Sequence, residues 1–289
     1  MQSQLKLLRQ MTVSGTFNTL KSSNLISWKS TGRLQQTIAG CIEKSGKTLH
    51  SGEVSKVKIF PGFAGEGRYF KFQSKSVPAS IDFAKVSPLC TTLCKDGVRV
   101  RTVEHLLSAL EAKGVDNCKI EIENQDCDSQ EVEVPILDGS ACAWLEAIEK
   151  VGVKEALDQH GNNGEKVAPY LNEPVHVWRN DSFIAAFPSP KVRITCGVHF
   201  PKVESMRNAG LIKGGSLENA LVCSISDGWL NPSLRFPDEP CRHKVLDLIG
   251  DLSLFAQNGT QGLPVAHIVA FKGGHALHID FARHLLGTI

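Results

Sequence analysis

The chain has 289 residues, 42% of them hydrophobic, enough for one large or two ordinary cores. A formal net charge of +2 gives no case for a nucleic-acid partner, and no apolar run approaches the roughly 18 residues of a membrane-spanning helix. The nine cysteines are dispersed and odd in number, unlike the framework of a secreted disulfide protein, so a reducing compartment is expected, with Cys90 and Cys94 as buried thiols.

The first 42 residues contain no Asp or Glu, while Lys6, Arg9, Lys21, Lys29 and Arg33 supply positive charge among frequent Ser and Thr. Leu5, Leu7, Leu8 and Met11 give a short amphipathic face, the pattern of an organelle transit peptide, with a disordered tail as the plain alternative. Residues 1–35 are therefore expected to be a transit peptide or disordered. Period-two patterning predicts strands over 54–59, 68–72 and 97–101. A helix follows over 102–111, with Val103, Leu106, Leu107 and Leu110 as its core face. A strand over 118–123 and a helix over 141–151 complete an N-terminal domain, 36–156. The polar, turn-rich stretch 157–167, with Gly161-Asn-Asn-Gly164, reads as a linker. The grammar then repeats over 168–289: strands at 174–178, 183–187 and 191–199, a helix at 215–220, a strand at 221–224, the helix carrying His243, a strand at 266–271, and a final helix near 278–286. The expected fold class is α+β, two domains of similar build, each a β-sheet packed on helices.

The most informative stretch is His243-Lys-Val-Leu-Asp-Leu-Ile-Gly-Asp251-Leu252. At 100° per residue, His243, Asp247 and Asp251 fall at about 0°, 40° and 80°, one polar stripe on a helix that is otherwise apolar. Buried carboxylates require a proton, a cation or a metal. His243 and Asp247, one turn apart, supply two ligands of a zinc site, which needs three plus an open position. His105 is the leading candidate for the third, and the adjacent Glu104 for a general base. Read alone, Glu104-His105 is also a solvated helix face, and His275 after Gly273-Gly274 is also a structural histidine, as is His50 in Leu49-His-Ser-Gly52.

Thr102-Val-Glu-His-Leu106, Pro135-Ile-Leu-Asp-Gly-Ser140, Gly214-Gly-Ser216, the 243–251 stripe and Gly274-His-Ala276 occur in the order found in one family. With Leu49-His-Ser-Gly52 fitting an early turn, residues 36 to 289 resemble UDP-3-O-acyl-N-acetylglucosamine deacetylase, the zinc amidase of lipid A biosynthesis. With the transit-like tail, the resemblance implies a plant-type mitochondrial member. It implies helices sandwiched between the two domains, and His105, His243 and Asp247 as zinc ligands, a donor set that also suits iron. It implies Glu104 as general base, His275 as the protonated partner of the oxyanion and leaving amine, Asp251 as the carboxylate orienting His275, and Lys244 as a substrate contact. A nucleotide-linked, acylated amino sugar is the implied substrate and a monomer the expected state.

One departure stands out. The family carries a strand with a Thr-Phe pair and a βαβ insert before Gly-Gly-Ser, whereas here only Lys202–Lys213 separate Pro201 from Gly214. An internal deletion joined near Val203-Glu204 is expected, and with it a weakly active or non-catalytic, zinc-binding form as the alternative.

Overall fold

The computed structural model describes residues 20–87, 89–123, 130–198, 215–216, 219, 223–224, 228–229 and 234–287. The first half contains strands β1 (Ile26–Leu34), β2 (Gln36–Ile38), β3 (Ile42–Lys47), β4 (Val54–Pro61), β5 (Arg68–Phe72), β6 (Lys75–Pro78), β7 (Ala84–Ser87), β8 (Cys90–Lys95), β9 (Val98–Arg101), β10 (Cys118–Glu123), β11 (Glu131–Glu133) and β12 (Val153–Glu155). Helices α1 (Glu104–Ala112) and α2 (Cys142–Val151) accompany them. The second half contains β13 (Glu165–Leu171), β14 (Val175–Arg179), β15 (Ser182–Pro188), β16 (Arg193–Gly197), β17 (Cys223–Ser224), β18 (Gly228–Trp229) and β19 (Ala266–Phe271). Among the described residues its helices are α3 (Glu239–Leu252) and α4 (His275–Leu285).

The expected α+β fold is present. A five-stranded sheet runs β3-β4-β10-β5-β6, a four-stranded one β11-β9-β8-β7, and the second half has a four-stranded sheet β14-β15-β19-β16. In that last sheet β19 is parallel to β16 and antiparallel to β15. The expected helix over 215–220 and strand over 221–224 fall mostly outside the described residues, although Cys223–Ser224 pairs with Gly228–Trp229. The junction near residue 203 lies outside them altogether.

Two expectations are corrected. Residues 26–34, assigned to the tail, form β1, which pairs antiparallel with β13, so residues 165–167 are strand rather than linker. The pairing is long-range, and the polar residues of β1, Ser27, Lys29, Ser30, Thr31 and Arg33, conceal its inward ones. Ile26 is buried, and Trp28 stacks on Phe255 at 5.7 Å between ring centres. Residues 1–19 lie outside the described part. The second correction concerns α1. Its Glu104-His105 side is not solvated, because α3 of the second half packs across it, and every residue from Glu104 to Leu110 is buried.

The α1–α3 contact brings the two halves of the site together. At Gly250 a β-carbon would lie 2.1 Å from the carbonyl oxygen of Glu104, so any side chain there forces the helices apart. Gly250 sits beside the His243/Asp247/Asp251 stripe, and its smallness lets that stripe face Glu104 and His105 directly.

Candidate metal centre and active site

His105 from α1 and His243 and Asp247 from α3 converge. Each His Nε2 lies 3.6 Å from Asp247 Oδ1, and the three ligand atoms all fall within 4.8 Å of one another. The rings of His105 and His243 meet edge to face at 5.1 Å. Donors about 2.0–2.2 Å from a tetrahedral zinc stand about 3.3–3.6 Å apart, so the carboxylate-to-imidazole distances fit a single divalent ion. The protonation states fit too. Burial pushes His243 down to about 4 against the pull of Asp247, leaving the neutral imidazole that ligates metals. Burial also opposes the charge on Asp247, but Lys244 and His243 hold it well below the usual carboxylate range. Lys244 Nζ lies 2.8 Å from Asp247 Oδ2 and half-buried, so it faces the cluster it is expected to serve.

Asp251 and His275 also come together, at 2.8 Å between Oδ2 and Nδ1. A second imidazole, absent from the sequence reading, shares that oxygen: His278 Nδ1 at 2.7 Å. These three side chains cluster closely enough to hold an ion. Both imidazoles, however, sit at hydrogen-bond distance from one oxygen, shorter than the spacing of two donors around a metal, so the group is a proton-bearing network. Asp251 is fully buried; His275 and His278 lower its pKa against the effect of burial.

The Nε2 of His275 lies 3.9 Å from Glu104 Oε1. Burial drives Glu104 up to about 7, with His275 and His105 pulling the other way. Burial disfavours the charged form of His275, but Asp251 and Glu104 outweigh it and push the group up to about 10. A carboxylate near neutral pKa beside a protonated imidazole is the pairing expected of a general base and a general acid.

Further residues around the site were not anticipated. Thr91 touches both Glu104 and Asp251. Glu133 accepts the backbone N–H groups of His50 and Ser51 and the hydroxyl of Thr102, tying the His50 turn to the start of α1. Both ring nitrogens of His50 are buried, and the ring lies beside Cys90. Cys90 and Cys94 are predicted to be buried thiols; Cys94, further along β8, is only half-buried, whereas Cys90 is buried in a polar environment. Burial raises its pKa, yet His50, Ser87 and Thr92 outweigh that and bring it down to about 6. No sequence periodicity marks the long-range contacts among these, which join Thr91 to Asp251 and Glu133 to the His50 turn.

The sequence profile of UDP-3-O-acyl N-acetylglycosamine deacetylase (LpxC) matches residues 35–203 and 201–287. The chain belongs to this deacetylase family. It is 54% identical to the Arabidopsis thaliana protein named probable UDP-3-O-acyl-N-acetylglucosamine deacetylase 1, mitochondrial, over 303 positions covering 93% of each chain. It is 41% identical to UDP-3-O-acyl-N-acetylglucosamine deacetylase of Thermosynechococcus vestitus, covering 86% of this chain and 93% of that one. The Trichormus variabilis deacetylase is 39% identical, covering 87% and 98%. Family membership makes the chain an enzyme of the hydrolase class. The profile splits into two segments that meet at residues 201–203, and the 303 positions aligned with the Arabidopsis deacetylase outnumber the 289 residues here. The relative therefore carries positions that this chain lacks. No helix among the described residues is long and apolar enough to cross a membrane.

Proposed function

We propose that the chain is a zinc-dependent deacetylase that hydrolyses the acetamide of UDP-3-O-acyl-N-acetylglucosamine, a step of lipid A biosynthesis, in the mitochondrion. The observation that carries this reading is the convergence of His105, His243 and Asp247 beside the Glu104–His275 pair. The names of the plant relatives support the compartment, and the acid-free, basic N-terminus is in keeping with it.

His105, His243 and Asp247 would hold the zinc, which supplies Lewis acidity and a nucleophile near neutral pH. Glu104 Oε1 takes the proton of the attacking water. His275 Nε2 stabilises the developing oxyanion and then gives its proton to the leaving nitrogen, releasing acetate and the free amine. Asp251 fixes the ring of His275 through Nδ1 and sustains its positive charge. Lys244 is the proposed contact for the sugar or diphosphate. The test is acetate release from the UDP-linked substrate by the purified chain, with zinc and after chelation.

A pH dependence follows from His275. The protonated form is the active one, so turnover persists through neutral pH and falls as pH rises through about 10. Because an unfolded imidazole titrates near about 6.5, the same group adds stability that is complete below that value and fades as pH approaches its folded pKa. The pH–rate profile should lose its alkaline limb in His275→Gln, with turnover low throughout. An unchanged limb in that variant assigns it to another group.

A second reading is favoured by the split in the family match: a shortened, weakly active form that keeps its metal. The family segment expected before Gly-Gly-Ser bears the Thr whose hydroxyl assists the oxyanion, and loss of one such donor typically costs about 10²–10³ in rate. Zinc retention with acetate release slower than that of a full-length relative by such a factor distinguishes it.

A further inference from the structure

Thr91, the second residue of β8, lies where three of the proposed site groups meet, and it is completely buried. Its backbone N–H donates to Glu104 Oε2 at 3.0 Å. Its hydroxyl donates to Asp251 Oδ1 in a short hydrogen bond, and the Thr91 Oγ1 lies 3.2 Å from His275 Nδ1. Its carbonyl accepts the N–H of Val103, the residue before Glu104, at 3.4 Å. One residue of the first half thus holds a carboxylate from α1, a carboxylate from α3 and the imidazole that opens α4.

We propose that Thr91 is a positioning residue that sets the spacing between the base Glu104 and the acid His275. The inference rests on the roles proposed above for those two groups. With Oε2 of Glu104 occupied by the Thr91 amide, Oε1 is left as the oxygen that faces His275 Nε2 at 3.9 Å. With Oδ1 of Asp251 occupied by the hydroxyl, the carboxylate plane is fixed so that Oδ2 receives both His275 and His278. Threonine suits the task because its branched Cβ restricts the side-chain rotamer, and the rigid strand carries both donors. A methyl group in place of the hydroxyl fills its volume, so the change leaves one oxygen of a buried carboxylate without its donor.

The test compares Thr91→Val, which keeps shape and backbone N–H but removes the hydroxyl, with Thr91→Ser, which restores it. In the zinc-loaded protein Thr91→Val should lower kcat about 10- to 100-fold, the range for residues orienting a site from behind, with KM and zinc content near wild type. Thr91→Ser should recover most of the loss. The imidazole proton spectrum supplies a readout independent of turnover. The His275 Nδ1–H resonance, held by Asp251, should move and exchange faster in Thr91→Val, while the His278 resonance persists. Unchanged kcat with an unchanged His275 resonance overturns the proposal, and so does a Thr91→Ser variant as slow as Thr91→Val. If the wild-type chain releases no acetate, the deacetylase reading fails by itself. The His275 resonance then decides the role of Thr91: dependence on its hydroxyl sustains the positioning, independence refutes it.

Discussion

Glu104→Ala is expected to lower acetate release by about 10²–10⁴-fold while leaving the metal in place. Glu104 is buried next to a proposed ligand, yet it is not part of the His105/His243/Asp247 donor set. Burial lifts its pKa to about 7, against His275 and His105, so it can both accept and release a proton near neutral pH. Alanine removes the proton acceptor and vacates the Thr91 amide without touching a donor atom. The measurement is steady-state turnover beside zinc content by atomic emission. Loss of zinc together with activity would make Glu104 a ligand or a structural support, and retained turnover would remove it from the chemistry.

The second large effect concerns stability and acts through the other end of the same helix. Glu111, in the last turn of α1, forms a buried ion pair with Arg68 of β5. Its Oε1 also accepts the backbone N–H groups of Gly262 and Leu263, at 3.1 and 2.8 Å. One carboxylate thus ties the first half's sheet and helix to the loop that leads into β19 of the second half. Replacing Glu111 with alanine leaves the Arg68 guanidinium buried, its Nε still donating to the Val115 carbonyl at 2.8 Å. Removing one member of a buried pair costs about 3–5 kcal/mol, most of it from the charge left behind. Urea unfolding of Glu111→Ala should show a loss of that size, and a change below about 1 kcal/mol, typical of an exposed pair, would contradict it. Because α1 carries Glu104 and His105, the variant should also bind zinc less tightly.

The sequence makes some of this architecture plain and hides the rest for physical reasons. The strands Arg68–Phe72, Cys118–Glu123 and Ala266–Phe271 coincide with the expected ranges, since each alternates inward and outward residues without interruption. The polar stripe of α3 is equally legible, because three polar residues at helical spacing stand out against an apolar helix. The burial of Asp247 and Asp251 agrees with it. By contrast, β1 and β13 meet across more than a hundred residues, and neither strand alone shows a clean alternation. The burial of His105 depends on α3 crossing α1 at Gly250, which periodicity within α1 cannot reveal. The bond from Thr91 to Asp251 spans 160 positions, and His278 reads as an ordinary helical residue until the first turn of α4 is placed against α3.

The central claim is that His105, His243 and Asp247 hold one zinc in a working deacetylase, and the most direct measurement is the metal content of the purified chain and of Asp247→Ala. Zinc at one per chain, falling to near zero in Asp247→Ala with the fold retained by circular dichroism and acetate release lost, is the predicted result. A wild-type chain that retains no divalent metal, or an Asp247→Ala variant that keeps its full complement, would contradict it.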